Sequence, residues 1–395
     1  MKRVLQVFRE FSTSGSLGGL LLLGSVIVAL IVANSPLGAS FTHLLTLNIG
    51  FHGAGLKLDY SILSWINDGL MAVFFLMVGL EIKRELIEGE LSTVKKAALP
   101  ILAALGGVLA PALIYFGLNR ETSTAVGWGI PMATDIAFAL AIITLLGKRI
   151  PASLKVFLAA LAIADDLCAI LVIAVFYSTE FHLIYLAYAG GLLALLIVFN
   201  RLGVKHLAFY LIPGLVMWYF VHHSGIHATI AGVLTALTLP TTPDDTESPL
   251  EKLEHALLKP VNFIIMPLFA LANTNIRFEP GMVDALTTSM GLGILCGLLL
   301  GKPLGISMFC WVAVKAGLGT LPTGARWDHL IGVGILGGIG FTMSIFIALL
   351  SFPAQEDISS EAKFAVLTAS VLSGLVGYVV LRTVSKNQVF VDADV

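Results

Sequence analysis

Asp165 and Asp166 stand side by side in an apolar run from Leu158 to Tyr177, and that pairing limits the folds open to the chain. A run of this length suits a helix that crosses a bilayer. A single charge at the centre of such a helix costs about 2.5–3.5 kcal/mol on insertion scales. Two adjacent acids must therefore face a protein interior or a water-filled cavity, inside a bundle large enough to shield them. They are either a structural pair neutralised by neighbouring helices or a site for ions or protons, and acids at membrane depth favour the second reading.

The rest of the chain supplies such a bundle. Of its 395 residues, 57% are hydrophobic and 12% charged, whereas about 25% of an average soluble domain is charged. Twelve apolar segments are candidate spans, near 12–33, 62–82, 97–118, 126–146, 152–177, 183–200, 206–221, 225–239, 258–274, 291–314, 329–351 and 361–383. The pair 206–221 and 225–239 is short and poorly separated. With both termini on one side of the membrane, that side receives eighteen of the 23 Lys and Arg residues, the other receives four, and Lys302 falls inside a span. This bias predicts cytoplasmic termini. Lys2, Arg3 and Arg9 precede the first apolar run with no clear small-residue cleavage site after it, which predicts a membrane helix rather than a secretory leader.

Composition also narrows the function. The net charge of −2 and the lack of a basic patch argue against a nucleic-acid partner. Cys168, Cys296 and Cys310 all lie in apolar segments, with neither a disulfide framework nor metal-ligand spacing. No Gly-rich loop with Gly-Lys-Ser/Thr is present, which argues against nucleotide drive, and no cofactor is expected.

Four features fall at membrane depth. Asp165 and Asp166 are one residue apart and so point about 100° apart on a helix; one can face a cavity while the other turns to a partner helix. In Ile130-Pro131-Met132-Ala133-Thr134-Asp135-Ile136, Pro131 removes a donor and clashes with the preceding turn. A break there frees backbone groups beside the Thr134 hydroxyl and a third acid, Asp135, although a simple kink with Thr134 bonded to its own backbone is the plain alternative. Gly332, Gly334, Gly337, Gly338 and Gly340, followed by Phe341-Thr342-Met343-Ser344, favour an unwound centre, with close helix packing as the alternative. Lys302, in Gly301-Lys302-Pro303-Leu304-Gly305, needs a counter-charge, and the three acids are the available ones; snorkelling to the interface is the competing reading.

The two interrupted spans occupy matching places. Helices 3–5 and 10–12 of the twelve are offset by an odd number of crossings, so the second triplet is inverted relative to the first, and each is broken in its middle helix. That is the pattern of an inverted-repeat transporter with a midplane site between discontinuous helices. Crossed broken helices bring two amino-terminal and two carboxy-terminal ends together; Asp135 would offset the first pair and Lys302 the second. Carboxylates, a hydroxyl and freed carbonyls suit a small hard cation, and the same carboxylates also take protons. If one monovalent cation replaces two protons at Asp165 and Asp166, each cycle moves one net charge.

Outside the spans, Leu47, Ile49 and Phe51, then Leu56, Leu58 and Tyr60, alternate with polar or small residues across His52-Gly53-Ala54-Gly55. This predicts a β-hairpin over 45–60 on the outer side, whose free edge would pair with a second copy; a plain amphipathic loop fits as well. The longest polar connection runs from Pro240 to Glu254 and carries Asp244, Asp245 and Glu247. Ser248-Pro249-Leu250-Glu251 within it predicts a capping box that starts a helix before the membrane.

Beyond these local readings, long runs of the chain resemble the bacterial NhaA-type sodium/proton antiporters. They are Trp65–Asp68, Ala72–Phe75, Val78–Glu85, Ala133–Phe138, Asp165–Leu167, Gly225–Thr229, Leu253–His255, Gly301–Ile306 and Gly338–Ser344, spread over about residues 12–383. The resemblance implies twelve helices, an inner-membrane homodimer joined through the outer hairpin, and electrogenic export of Na⁺ or Li⁺ against proton entry. It makes Asp165 and Asp166 the cation and proton carriers with Thr134 lining the site, Lys302 the partner of Asp165, and Asp135 the dipole compensator. It ties Glu81, Arg84, Glu85, Glu254 and His255 to pH regulation in the cytoplasm and gives His227 a further pH-linked role. The division it implies is an ion-site core of helices over about 97–177 and 291–383, with the remaining helices as scaffold. Two departures touch the regulatory region: Leu258 stands where the family pattern carries a second histidine, and the Pro240–Pro249 loop is more acidic.

Other classes account for the residues less well. An aspartic dyad formed by Asp135 with Asp165 or Asp166 would suit an intramembrane enzyme, but the Gly-x-Gly-Asp context is missing and Lys302 is left unexplained. Asp-Asp-Leu-Cys-Ala is not the Asp-Asp-x-x-Asp of prenyl transfer. His223 and His227 have zinc-like spacing, but no Glu follows His223. A passive cation channel needs a continuous pore, in which a buried acid–lysine set would trap the ion.

Overall fold

The computed structural model describes residues 2–53, 56–178, 181–241, 247–353 and 355–386. The chain is mostly helical. In order it forms α1 (Lys2–Ala33), α2 (Gly38–Thr46), strands β1 (Asn48–Gly53) and β2 (Leu56–Ser61), α3 (Ile62–Ile87) and α4 (Val94–Asn119). A 3-10 helix (Ser123–Met132) then leads to α5 (Ile136–Leu145), α6 (Ala152–Phe176), α7 (Leu183–Arg201), α8 (Ala208–His223) and α9 (Ile230–Thr238). The last five are α10 (Pro249–Asn273), α11 (Ser289–Lys315), α12 (Trp327–Gly337), α13 (Phe341–Ser351) and α14 (Glu356–Val384).

Among the described residues, seven helices are long and apolar enough to cross a membrane, and up to ten spans result if each bent pair counts as one. The three bent pairs turn by 111° between Leu17–Ala33 and Gly38–Thr46, by 42° between Ser123–Met132 and Ile136–Leu145, and by 43° between Trp327–Gly337 and Phe341–Ser351. The two segments that looked short in sequence are α8 and α9, of 16 and 9 residues. Gly225, with φ of +86°, ends the α8 turn in a conformation that suits glycine.

Local chemistry explains several helix starts. The Ser61 and Thr288 hydroxyls accept the Ser64 and Gly291 amides, capping α3 and α11. The capping box expected at Ser248 is present: its hydroxyl accepts the Glu251 amide and its own amide donates to the Glu251 carboxylate at 2.7 Å. β1 and β2 pair antiparallel, with Asn48 opposite Ser61 and Gly53 opposite Leu56. The proposed turn residues Ala54 and Gly55, and the acids Asp244 and Asp245, lie outside the described residues.

The glycine-rich segment differs from expectation. Only Gly338–Gly340 leaves the helix, while Gly332, Gly334 and Gly337 remain in α12. Those three serve packing: a Cβ would meet Leu381 at Gly332, Pro303 at Gly334 and Ile306 at Gly337. Small side chains let helices approach in a membrane, where water exclusion no longer drives them together.

The chain divides into two compact units. One comprises Met1–Leu20, Glu85–Val172 and Glu279–Val395. Its centre is α11 against α4. Gly106 and Gly305 approach so closely that a Cβ on either would run into the other's carbonyl oxygen, and Gly301 sits on the backbone of Pro111. The second unit comprises Leu21–Arg84 and Ile173–Phe278. Its core includes Leu80, Tyr210, Met217 and Leu253, with Asn67 and Asn273 exchanging side-chain amide hydrogen bonds of 3.3 and 2.7 Å.

Gly305→Leu must push α11 off α4 or distort both, and overpacking of this kind costs about 1–3 kcal/mol or more. The expected result is a lower thermal unfolding midpoint and less folded protein in detergent, while Gly117→Leu, where a Cβ meets nothing, leaves both unchanged. Equal midpoints for the two variants would show that the close approach is not what fixes α11.

Candidate functional site

The two breaks of the first unit meet. The 3-10 helix ends at Met132 and α5 begins at Ile136; α12 ends at Gly337 and α13 begins at Phe341. Between the helical pieces the backbone is extended at Ala133 and Asp135. The strands so freed bond across the gap: the Asp135 amide donates to the Ile339 carbonyl at 2.6 Å, and the Ser344 hydroxyl donates to the Ile130 carbonyl at 2.6 Å. Broken helices in lipid survive only when such groups find partners.

Asp135 caps two helices at once. Its Oδ1 accepts the Phe138 amide at 3.1 Å, which makes it the N-cap of α5. Its Oδ2 accepts the Thr342 amide at 3.2 Å and the Thr342 hydroxyl at 2.5 Å, in the first turn of α13. One buried carboxylate thus answers the positive ends of both helices. Thr342 is the residue that sequence reasoning left without a role, although its place just after Gly338–Gly340, inside a helix start, was the available signal.

Lys302 closes the other side. Its ammonium donates to Asp165 Oδ2 at 2.6 Å and to the Thr134 hydroxyl at 2.9 Å. That hydroxyl in turn donates to the Gly337 carbonyl at 2.8 Å, at the carboxy-terminal end of α12. The pair is dry: both side chains are 1% exposed. Lys302 therefore does not snorkel, and its positive charge stands by the negative ends of the broken pieces through Thr134. Asp166, the next residue on α6, is equally buried. Asp165 Oδ1 is buried with no hydrogen-bond partner among the described residues, an oxygen that can accept a further ligand. Thr134 was expected to line a cation site; here its hydroxyl accepts from Lys302 and donates to the Gly337 carbonyl, which leaves one lone pair.

Several of the residues assigned to pH regulation have defined partners. In the second unit Arg84 Nε donates to both Glu254 carboxylate oxygens at 3.0 Å, and both side chains are largely buried. His255 instead faces Glu247, 3.0 Å away and half-exposed. Glu81 is buried on α3. In the first unit Glu85 accepts the Glu90 amide at 2.8 Å. His227 bonds Thr229 at 3.0 Å and lies 3.6 Å from Asp68, a carboxylate that sequence reasoning did not assign although it sits in an otherwise apolar span.

Comparison with known proteins gives one consistent result. A family model described as Na⁺/H⁺ antiporter 1 matches residues 9–381. A protein of Flavobacterium johnsoniae named Na(+)/H(+) antiporter NhaA 2 is 65% identical over 385 residues, covering 97% of this chain and 94% of its own. A Bordetella parapertussis protein named Na(+)/H(+) antiporter NhaA is 50% identical over 387 residues, covering 96% and 97%. The fold is similar to the structure of a sodium proton antiporter from Methanocaldococcus jannaschii at pH 8, with a TM-score of 0.60 over 97% of this chain and 99% of that one, at 12% identity.

A buried ion pair is costly to halve: loss of one partner destabilises by about 3–5 kcal/mol because the other charge is stranded. Lys302→Met is therefore expected to lower the thermal unfolding midpoint markedly, and adding Asp165→Leu to recover most of the loss. A double variant as unstable as the sum of the two single ones would mean that the two charges are not coupled.

Proposed function

The chain belongs to the Na⁺/H⁺ antiporter 1 family of secondary transporters and exchanges sodium ions for protons across a membrane that it crosses many times; we propose that Asp165, Asp166 and Lys302 carry out this exchange by alternating access. The observation that supports this reading most is the 2.6 Å Lys302–Asp165 pair, dry and set against the two helix breaks. In this arrangement an ammonium proton occupies the place a cation needs at Asp165. For Na⁺ to be held by the Asp165 and Asp166 carboxylates, the Lys302 ammonium must leave Asp165.

The exchange balances as follows. A sodium ion arrives from the cytoplasm; one proton leaves Asp166 and one leaves the Lys302–Asp165 pair. The site then turns to the other face, releases sodium, and takes two protons back. One positive charge enters the cell per cycle, so the membrane potential drives sodium out together with the pH gradient. Li⁺, another small hard cation, is accepted by the same oxygens. Thr134 lines the site and offers its hydroxyl oxygen to the ion, with a second lone pair freed when Lys302 withdraws. Asp135, fixed by four bonded groups, compensates helix charge throughout rather than binding the ion.

With α8 and α9 as two short crossings, the up to ten spans become twelve, with both termini in the cytoplasm and the protein in the bacterial inner membrane. The pieces α4 to α6 and α11 to α14 form inverted repeats whose middle members are the discontinuous helices crossing at the midplane; the 42° and 43° bends support this. Their membership of one compact unit supports treating them as the ion-site core, with the other helices as scaffold. β1 and β2 join two subunits on the periplasmic side. Protonation in the groups around Arg84–Glu254, His255–Glu247, Glu81, Glu85 and His227 adjusts activity to pH, and the exchange serves sodium and pH homeostasis.

Everted vesicles acidified inside, with a fluorescent pH probe, test the assignment. Addition of Na⁺ or Li⁺ is expected to alkalinise the lumen for the intact protein but not for Asp166→Asn or Asp165→Asn. Alkalinisation by Asp166→Asn at the wild-type rate would remove the pair from the transport step.

A further inference from the structure

At the end of the first unit that carries Lys148 and Arg382 lies a cavity of about 300 Å³ lined by Leu145, Leu146, Arg149, Tyr378 and Arg382. It is bounded on one side by the turn that ends α5 and on the other by the last turns of α14. Two guanidinium groups and a phenol point to an anion, because arginine presents donors in a fork that matches phosphate oxygens. Neither guanidinium makes a hydrogen bond or ion pair to any described residue. The surrounding charge is also basic: Lys148 and Lys386 lie on the same segments, and Arg326, paired with Asp328 at 3.6 Å, reaches the Val384 carbonyl from the start of α12.

An exposed apolar stripe on α14 leads toward the cavity. Along α14, Val371, Leu372, Leu375, Val376 and Val379 are 42–61% exposed, and their three- and four-residue spacing sets them on one helical face. The stripe runs toward Tyr378 and Arg382, and Leu145, 66% exposed, flanks the cavity from α5. An apolar track that ends at a tyrosine and two arginines has the order of a phospholipid: acyl chain, interfacial zone, phosphate.

We propose that this cavity is a binding site for the headgroup of an anionic glycerophospholipid of the cytoplasmic leaflet. Arg149 and Arg382 take the phosphate and Tyr378 a glycerol or phosphate oxygen, while the acyl chains lie along the α14 stripe. The bound lipid ties the end of α5 to α14, which already touch where Ile142 meets Gly374. The opposite end of α5 is the one Asp135 caps, so the lipid braces the far end of the same 10-residue helix.

The test uses the full chain, purified and delipidated in detergent, with three probes: phosphatidylglycerol, phosphatidylcholine with the same acyl chains, and inorganic phosphate. The readouts are the thermal unfolding midpoint and lipid retained by mass. Phosphatidylglycerol is expected to raise the midpoint saturably, and the other two are not. A basic residue near an anionic surface contributes up to a factor of about five, so R149Q/R382Q is expected to bind phosphatidylglycerol about thirtyfold more weakly, while K148Q, outside the cavity, loses less than about fivefold. Unchanged binding by R149Q/R382Q, or equal binding of phosphatidylcholine, overturns the proposal; a full effect of inorganic phosphate replaces the lipid by a water-soluble anion. Should the double variant fail to fold, R382Q alone serves, with about fivefold weaker binding expected and no change contradicting the site.

Discussion

The Lys302–Asp165 ion pair is the interaction on which the rest of the first unit depends. Each charge alone is intolerable at membrane depth; together, with Thr134 completing the set, they survive at 1% exposure. The pair ties α11 to α6 and, through Thr134 and Gly337, to both helix breaks. It is also labile by design, since any cation that competes for Asp165 must displace an ammonium. A hydrophobic substitute would hold the helices as firmly but give no charge to exchange.

The breaks exist for the same reason. Backbone groups released inside a membrane must be answered, and here a single carboxylate answers two helix starts while one lysine, acting through a hydroxyl, serves a helix end. Small residues bring α11 against α4 at this level: Gly106 and Gly305 meet backbone to backbone, and the Lys302 stem passes beside Gly107.

Much of this was legible in the chain. Asp165, Asp166, Asp135 and Lys302 announce themselves because each is a charge in an apolar run, and Pro131 marks a break that periodicity alone would have smoothed over. The capping box at Ser248 is wholly local and was read in full. What escaped is non-local. Nothing in the spacing of Gly332, Gly334 and Gly337 distinguishes helix packing from unwinding; only their neighbours Leu381, Pro303 and Ile306 do. Thr342 acquires its role from an acid more than two hundred residues earlier. Likewise, Asp68 became the neighbour of His227 through tertiary contact, and Arg149 and Arg382 line one cavity only because α5 packs beside α14.

Proton release on sodium binding tests the central claim most directly, because it counts the charges that Na⁺ displaces. Purified protein in weakly buffered detergent would be titrated with Na⁺ while released protons are followed with a pH dye. About two protons are expected per sodium ion bound near neutral pH, and about one when Lys302 is replaced by methionine. Sodium binding without proton release, or release unaffected by Lys302→Met, would contradict the view that the ion enters by opening the Lys302–Asp165 pair.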